Sequence, residues 1–239
     1  MVSSVHEWVS KVYTSLSEPT IRPDKVRSGA VKNRSKSSAG WLQEHFNDPY
    51  VKQSQIDGFR SRASYKLLEL NQRDRLFNQG DRVLDLGSAP GGWSQVAAQL
   101  VGEQGQVIAS DILPMSALAG VSFIQGDFTE QSVYDEILSA LKGHSVDLVI
   151  SDMAPNMSGV ASIDQPAGLA LAELALEMAR TTLKPMGHLV IKLFHGAGTE
   201  ALIKEARAAF QQVVMRKPEA SRARSKEVYL VAKQFRGDQ

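Results

Sequence analysis

From residue 82 onward, short runs of β-type apolar residues alternate with longer stretches in which apolar positions recur at helical spacing. The short runs predict strands near 82–86, 106–110, 121–125, 146–151, 188–193, 211–216 and 227–232, and the longer stretches predict helices near 92–101, 130–142, 167–183 and 198–209. Such alternation predicts an α/β fold built on a doubly wound, seven-stranded sheet. Only Pro218 to Lys226 separates the last two strands. That is too short for a parallel crossover, so the final strand is expected to run antiparallel to its neighbour. Before residue 82, Leu67, Leu68, Leu70 and Leu76 predict a helix over 61–76 that packs on one sheet face. Trp41 to Phe46 reads as a short helix closed off before Pro49. Val5, Val9, Val12 and Leu16 form a further helical stripe, and Pro19, Pro23 and the serines after them read as linker.

Three strands stop abruptly at a carboxylate or a glycine turn. They are Val83-Leu84-Asp85-Leu86-Gly87-Ser88-Ala89-Pro90-Gly91-Gly92-Trp93, then Ala109-Ser110-Asp111, then Gln125-Gly126-Asp127-Phe128. Buried parallel strands that end this way place their acids at the carboxyl edge of the sheet, where open α/β folds bind ligands. Three such edges in succession describe a pocket for a nucleoside cofactor. Asp111 is placed to hold two ribose hydroxyls and Asp127 to accept from an adenine amino group, although alone either acid could simply cap a helix. The loop departs from the dinucleotide fingerprint: Trp93 stands where the third glycine belongs, and Pro90 interrupts it. A ring there crowds a pyrophosphate but can flank the methionine part of S-adenosylmethionine, so a sulfonium cofactor fits better. The antiparallel ending also suits a methyltransferase sheet better than a nicotinamide-binding one.

Composition narrows the classes further. The chain has 239 residues and no cysteine, which excludes disulfides, a thiolate nucleophile and sulfur-ligated metal. No metal is expected, because the five histidines show no ligand spacing. No stretch approaches the roughly 20 apolar residues that cross a bilayer. The net charge of +1 conceals an asymmetry. Residues 22–66 carry ten Lys/Arg against four Asp/Glu, residues 67–215 carry nine against seventeen, and residues 216–226 add five basic groups against Glu219. Two basic segments flanking an acidic centre that holds a nucleoside pocket point to a nucleic-acid partner.

Four more positions carry candidate chemistry. Asp152 ends the fourth strand in Ser151-Asp152-Met153-Ala154-Pro155-Asn156, and Lys192 ends the fifth in Val190-Ile191-Lys192-Leu193-Phe194. A lysine in so apolar a strand end is costly unless it is paired or faces a polar cleft. Lys66 lies on the helix before the first strand, and Glu227 opens the last strand after Ser221-Arg222-Ala223-Arg224-Ser225-Lys226. Singly, each is also consistent with an ordinary salt bridge, and Lys66 with a solvated helix face.

With those residues in place, the chain from about Arg34 onward resembles the FtsJ (RrmJ) family of ribosomal RNA 2′-O-ribose methyltransferases. The matching segments are Trp41–Phe46, Arg60–Lys66, Asp85–Trp93, Gln125–Phe128, Ser151–Gly159 and Arg216–Tyr229. The resemblance implies a Rossmann-like, S-adenosylmethionine-dependent methyltransferase fold and 2′-O-methylation of a uridine in the A-loop of 23S ribosomal RNA within the large subunit. It implies a cytoplasmic monomer, and a catalytic set at Lys66, Asp152, Lys192 and Glu227. Cofactor contacts carry over to Gly91, Trp93, Asp111, Asp127 and Asp152. It also divides the chain into an N-terminal extension, residues 1–33, and a methyltransferase domain, residues 34–239, with a helical RNA-binding appendage. The extension has no counterpart in the typical bacterial member; a start near Val31 and an organellar presequence are the two accounts of it. Ser64 departs from the pattern, since many bacterial members have an aromatic residue there.

In this scheme Lys192 is the general base and Lys66 a second ammonium. Burial and a neighbouring ammonium lower a lysine's pKa, whereas carboxylates raise it, and sequence does not decide between them. Ser221–Lys226 and the basic stretch before Lys66 are expected to hold phosphates. The competing functions are a non-enzymatic RNA-binding ribosome-assembly factor on the same fold, and a ribose methyltransferase of transfer RNA or cap.

Overall fold

A computed structural model describes residues 48–237. The proposed stripe at residues 5–16, the helix at 41–46 and the extension all lie outside the described residues. The chain divides at Lys52/Gln53 into two compact units. The second carries the sheet and is treated by itself below.

A helix, α1 (Pro49–Ile56), begins at Pro49, the position expected to close off a preceding helix. Proline suits the first helical position, where its missing N–H would have no intrahelical partner. Asp48 precedes it and accepts the Tyr50 N–H at 3.0 Å, a side-chain cap. The remaining elements follow in order: α2 (Ala63–Asp74), β1 (Arg82–Leu86), α3 (Gly92–Val101), β2 (Gln106–Asp111), β3 (Val121–Gln125), α4 (Gln131–Ala140), β4 (Val146–Ser151), α5 (Ala161–Thr182), β5 (Leu183–Phe194), α6 (Thr199–Ala209), β6 (Phe210–Arg216) and β7 (Glu227–Phe235).

The seven strands form one sheet in the order β3-β2-β1-β4-β5-β7-β6. β1 to β5 pair in parallel, and β7 runs antiparallel to both β5 and β6. The expected antiparallel ending is therefore observed, with the last strand inserted between the fifth and sixth. Both sheet faces are covered. Leu84, Leu86, Ile108 and Leu189 pack on one face with Ile137 of α4, Ala175 and Ala179 of α5, and Leu202 of α6. Val83, Val107, Val190 and Val231 pack on the other with Leu67 and Leu70 of α2 and Val96 of α3. Strand order reverses beside β1, so the carboxyl ends of β1 and β4 border the crevice where such sheets bind ligands.

Two elements begin well before their expected starts. α5 begins six residues before 167 and contains Pro166. The Asp164 carboxylate, in its first turn, accepts the Ser158 and Gly159 N–H groups at 2.8 and 3.0 Å and anchors this early start. β5 begins at Leu183 rather than 188, because Leu183 pairs with Val146 before an irregularity in register; regular pairing starts at His188 with Leu148.

Candidate active site

The β5–β7 register builds the core of the site. Lys192 is paired with Tyr229 and Phe194 with Glu227. Opposed residues in an antiparallel pair share a face, and residues two apart on a strand share it too. Lys192, Tyr229 and Glu227 therefore project together. Tyr229 belongs to the apolar cluster that includes Leu67 and Leu70, the face covered by α2. Lys66 reaches the same spot from α2, and Asp152 enters from the end of β4.

These side chains meet in one network. Lys192 Nζ lies 3.1 Å from Asp152 Oδ1 and also donates to the Asp152 main-chain oxygen. Lys66 Nζ lies 2.9 Å from Glu227 Oε1 and 3.9 Å from Asp152 Oδ1. The Tyr229 hydroxyl accepts from Lys66 Nζ at 3.0 Å and donates to Asp152 Oδ1 at 2.6 Å. None of the four charged side chains is more than 18% exposed. Two amines far apart in sequence thus converge on a single carboxylate oxygen.

Burial works to raise the Asp152 carboxyl. The ammonium groups of Lys192 and then Lys66, with the Tyr229 and Lys192 hydrogen bonds, outweigh it and hold the group below its ordinary value. Asp152 is consequently an anion at neutral pH. Burial pushes the Tyr229 phenol well above 10, and the Asp152 and Glu227 charges push the same way, so it remains a neutral donor. Tyr229 was absent from the sequence-derived set. A tyrosine in an apolar strand reads as core, and only the cross-strand register reveals its place between Lys66 and Asp152.

The glycine loop follows β1. Gly91 has φ 104°, and a Cβ there would stand 2.8 Å from Met115 Sδ and 2.9 Å from Leu118 Cδ1. A side chain is thus excluded by conformation and by space. Asp111 Oδ2 accepts the Ala89 N–H and Oδ1 accepts the Leu113 N–H, both at 2.8 Å. This acid, still part-exposed, braces the loop against the segment after β2. Asp127 Oδ1 accepts the Thr129 N–H and hydroxyl at 2.9 and 2.7 Å. Among the described residues no hydrogen bond reaches its Oδ2.

Trp93 sits differently from the expected open flank. It is 3% exposed, its indole N–H donates to the Ala63 carbonyl at 2.8 Å, and its ring lies 5.6 Å from that of Tyr229. The ring therefore ties α2 to the first turn of α3 beside Tyr229. Ser64, the residue that departs from the family pattern, is fully buried and donates to the Gly92 carbonyl at 3.0 Å. It joins the same two elements by a hydrogen bond.

The arginines before Lys66 also differ from expectation. Arg60 donates to the Pro90, Ser116 and Ala117 carbonyls at 3.2, 2.7 and 2.7 Å, and Arg62 donates to the Ala220 carbonyl. Arg60 is thus a clasp between the glycine loop and the 112–118 segment, its guanidinium facing three carbonyls. The Ser221–Lys226 loop is positioned by Glu69, which accepts the Glu219 and Ala220 N–H groups at 2.6 and 2.9 Å.

Asp85 was not in the sequence-derived set. Its Oδ2 accepts from Ser94 Oγ at 2.6 Å, whereas its buried Oδ1 has no hydrogen-bond partner. Burial raises this carboxyl to about 7; the Ser94 bond opposes the shift, and the charges of Asp152 and Asp111 add to it. The folded value lies above the unfolded one of about 3.9. Stability from Asp85 is therefore fully present below about pH 4 and is lost as pH rises toward about 7. Asp85→Asn should raise Tm relative to wild type progressively over that window. Parallel Tm–pH curves for the two proteins would refute the assignment.

No group of three metal-ligating side chains occurs among the described residues. Nor is any of their helices long and apolar enough to cross a membrane.

Comparison with known proteins gives a consistent picture. Residues 59–235 match the FtsJ-like methyltransferase family. The ribosomal RNA large subunit methyltransferase E of Marinobacter nauticus is 64% identical over 203 residues, covering 85% of this chain and 98% of that protein. The protein of the same name from Cellvibrio japonicus is 61% identical over 206 residues, covering 86% and 98%. A crystal structure described as a ribosomal RNA methyltransferase from Plasmodium falciparum superposes with a TM-score of 0.66 at 28% identity, covering 75% of this chain and all of that one.

Proposed function

The chain belongs to the FtsJ-like methyltransferase family, and we propose that it transfers a methyl group from S-adenosylmethionine to the 2′-oxygen of a uridine in 23S ribosomal RNA of the large subunit. The observation that carries this reading is the convergence of Lys66 and Lys192 on Asp152 Oδ1, at 3.9 and 3.1 Å, beside the glycine loop. The names of the relatives from Marinobacter and Cellvibrio support a ribosomal RNA substrate. That substrate would place the protein in the cytoplasm.

The residues at the strand ends suit the cofactor. The unpartnered Asp85 Oδ1 beneath the loop is a buried acceptor that a cationic or N–H-bearing group would satisfy. Gly91 allows close backbone approach, and the Trp93 main-chain N–H offers a donor for a carboxylate. Asp111 would hold ribose hydroxyls with its remaining lone pairs, and Asp127 Oδ2 would take an adenine amino group. Bound S-adenosylmethionine supplies a methyl group on a positively charged sulfur, an electrophile that needs no further activation.

The chain's own task is to align the hydroxyl and remove its proton. Alignment alone supplies several kcal/mol by making the encounter effectively intramolecular. In this reading Lys192 is the general base that takes the proton from the 2′-hydroxyl as that oxygen attacks the methyl carbon. The ammonium so formed keeps two acceptors, the Asp152 carboxylate and main-chain oxygen. Glu227 and Tyr229 hold Lys66 in place, from where its N–H groups orient the attacking oxygen. The Ser221–Lys226 loop would bind flanking phosphates.

Arg60→Ala should weaken S-adenosylmethionine binding about tenfold, the scale of a lost charge-assisted contact, with kcat at saturating cofactor close to wild type. Calorimetric titration and steady-state kinetics read the two effects separately. The reading as a whole is tested by mapping ribose methylation in ribosomal RNA from cells lacking the gene, then restoring it with purified protein on isolated large subunits. An unchanged methylation map would overturn it.

A further inference from the structure

We infer that residues 153–163, the loop leaving β4 together with the first residues of α5, form a wall for the nucleobase carried by the ribose that enters the site at Lys66, Asp152, Lys192 and Glu227. The inference rests on the RNA-methylating reading and assigns a face that the catalytic set leaves unexplained. Met157, Val160 and Ile163 are 60, 49 and 58% exposed, a concentration of large apolar side chains on one short segment. Exposed apolar groups gathered this way mark an interaction surface.

The loop is a fixed shape. Asp164 accepts Ser158 N–H, Ser158 Oγ and Gly159 N–H at 2.8, 2.7 and 3.0 Å, and the Val160 N–H donates to Ser158 Oγ at 3.1 Å. Gly159 takes the turn at φ 83°. The apolar side chains are thereby presented outward with little ordering left to lose on binding.

Position and charge select the occupant. Phe194, Pro155 and Gly168 pack together: a Cβ on Gly168 would lie 3.1 Å from the Phe194 ring and 3.7 Å from Pro155. Lys192 Nζ stands 5.9 Å from the centre of that ring, so the loop begins beside the proposed base. The tetrad's other strand, β7, opens at Glu227 directly after the basic Ser221–Lys226 loop. An RNA strand whose phosphates lie along that loop, with its sugar at the tetrad, carries the base toward 153–163. Residues 153–163 contain no charged side chain, although 67–215 carries eight more acidic than basic groups (seventeen less nine). An uncharged apolar surface matches the π-face of a base rather than a phosphate.

The test uses the full chain and large ribosomal subunits that lack the modification. A Met157→Ser, Val160→Ser, Ile163→Ser triple variant should raise KM for subunits about tenfold, with cofactor Kd and Tm unchanged because all three side chains are exposed. Met157→Leu should behave like wild type. Replacing Met157 with p-benzoylphenylalanine and irradiating the complex should attach the protein to an RNA base, at the methylated nucleotide. An unchanged KM in the triple variant, an adduct on a ribosomal protein, an adduct on remote RNA, or no adduct would overturn the inference. Absence of methyl transfer by the unsubstituted protein would instead defeat the methylation reading, while the crosslink still decides whether a base lies against this loop.

Discussion

Lys192→Ala will lower kcat for methyl transfer by about three orders of magnitude, the middle of the range for loss of a positioned general base, while cofactor affinity stays within a few-fold of wild type. Among the described residues the polar contacts of the amine are with Asp152, and none is with the glycine loop. Its removal therefore leaves the Asp111–Ala89 brace and the Arg60 clasp in place. Titration of the variant with S-adenosylmethionine and single-turnover transfer to large subunits give the two quantities. Near-normal turnover would remove Lys192 from its role as base. Lys192→Arg should fare no better, because a guanidinium stays protonated throughout the working pH range.

Asp152→Ala will affect both folding and turnover. Removing this carboxylate takes away the Lys192 ion pair, the longer Lys66 contact and the acceptor of the Tyr229 hydroxyl. Two amines then share a largely enclosed site with only Glu227 to balance them. Breaking a buried pair from one side costs about 3 kcal/mol or more, which corresponds to roughly 6–12 °C in Tm for a domain of this size. Adding Lys66→Met should recover much of that stability and none of the activity. Because the folded Asp152 pKa lies below its unfolded value, the stability it contributes is present above about pH 4 and lost as pH falls through the folded value. An Asp152→Ala protein that melts with wild type at pH 7 would show that the network contributes nothing to the fold.

The strand pattern made the sheet legible because apolar runs bounded by turns survive in the sequence, and the short Pro218–Lys226 connection was enough to orient β7. The four proposed catalytic residues were legible as acids and amines, three at strand ends and Lys66 on the helix before β1, and the structure brings all four together. Three features were not legible, each for its own reason. Tyr229 depends on the pairing of β5 with β7, a relation between residues 37 apart that no local pattern encodes. Arg60 carried the charge of an RNA contact, and only coordinates show it turned onto carbonyls 30, 56 and 57 residues away. Pro49 read as a break, yet proline suits the first helical position, and Asp48 supplies a side-chain cap there.

The placement of β7 has a consequence for synthesis. This strand comes last along the chain, yet in the sheet it has a neighbour on each side. Until residues 227–235 leave the ribosome, β5 and β6 both present open backbone edges, the template for aberrant pairing between chains. The nascent protein also lacks Glu227 and Tyr229 throughout that interval. Ribosomes stalled just before Glu227 would thus release an inert and aggregation-prone product, so activity itself reports that translation of the final strand was completed.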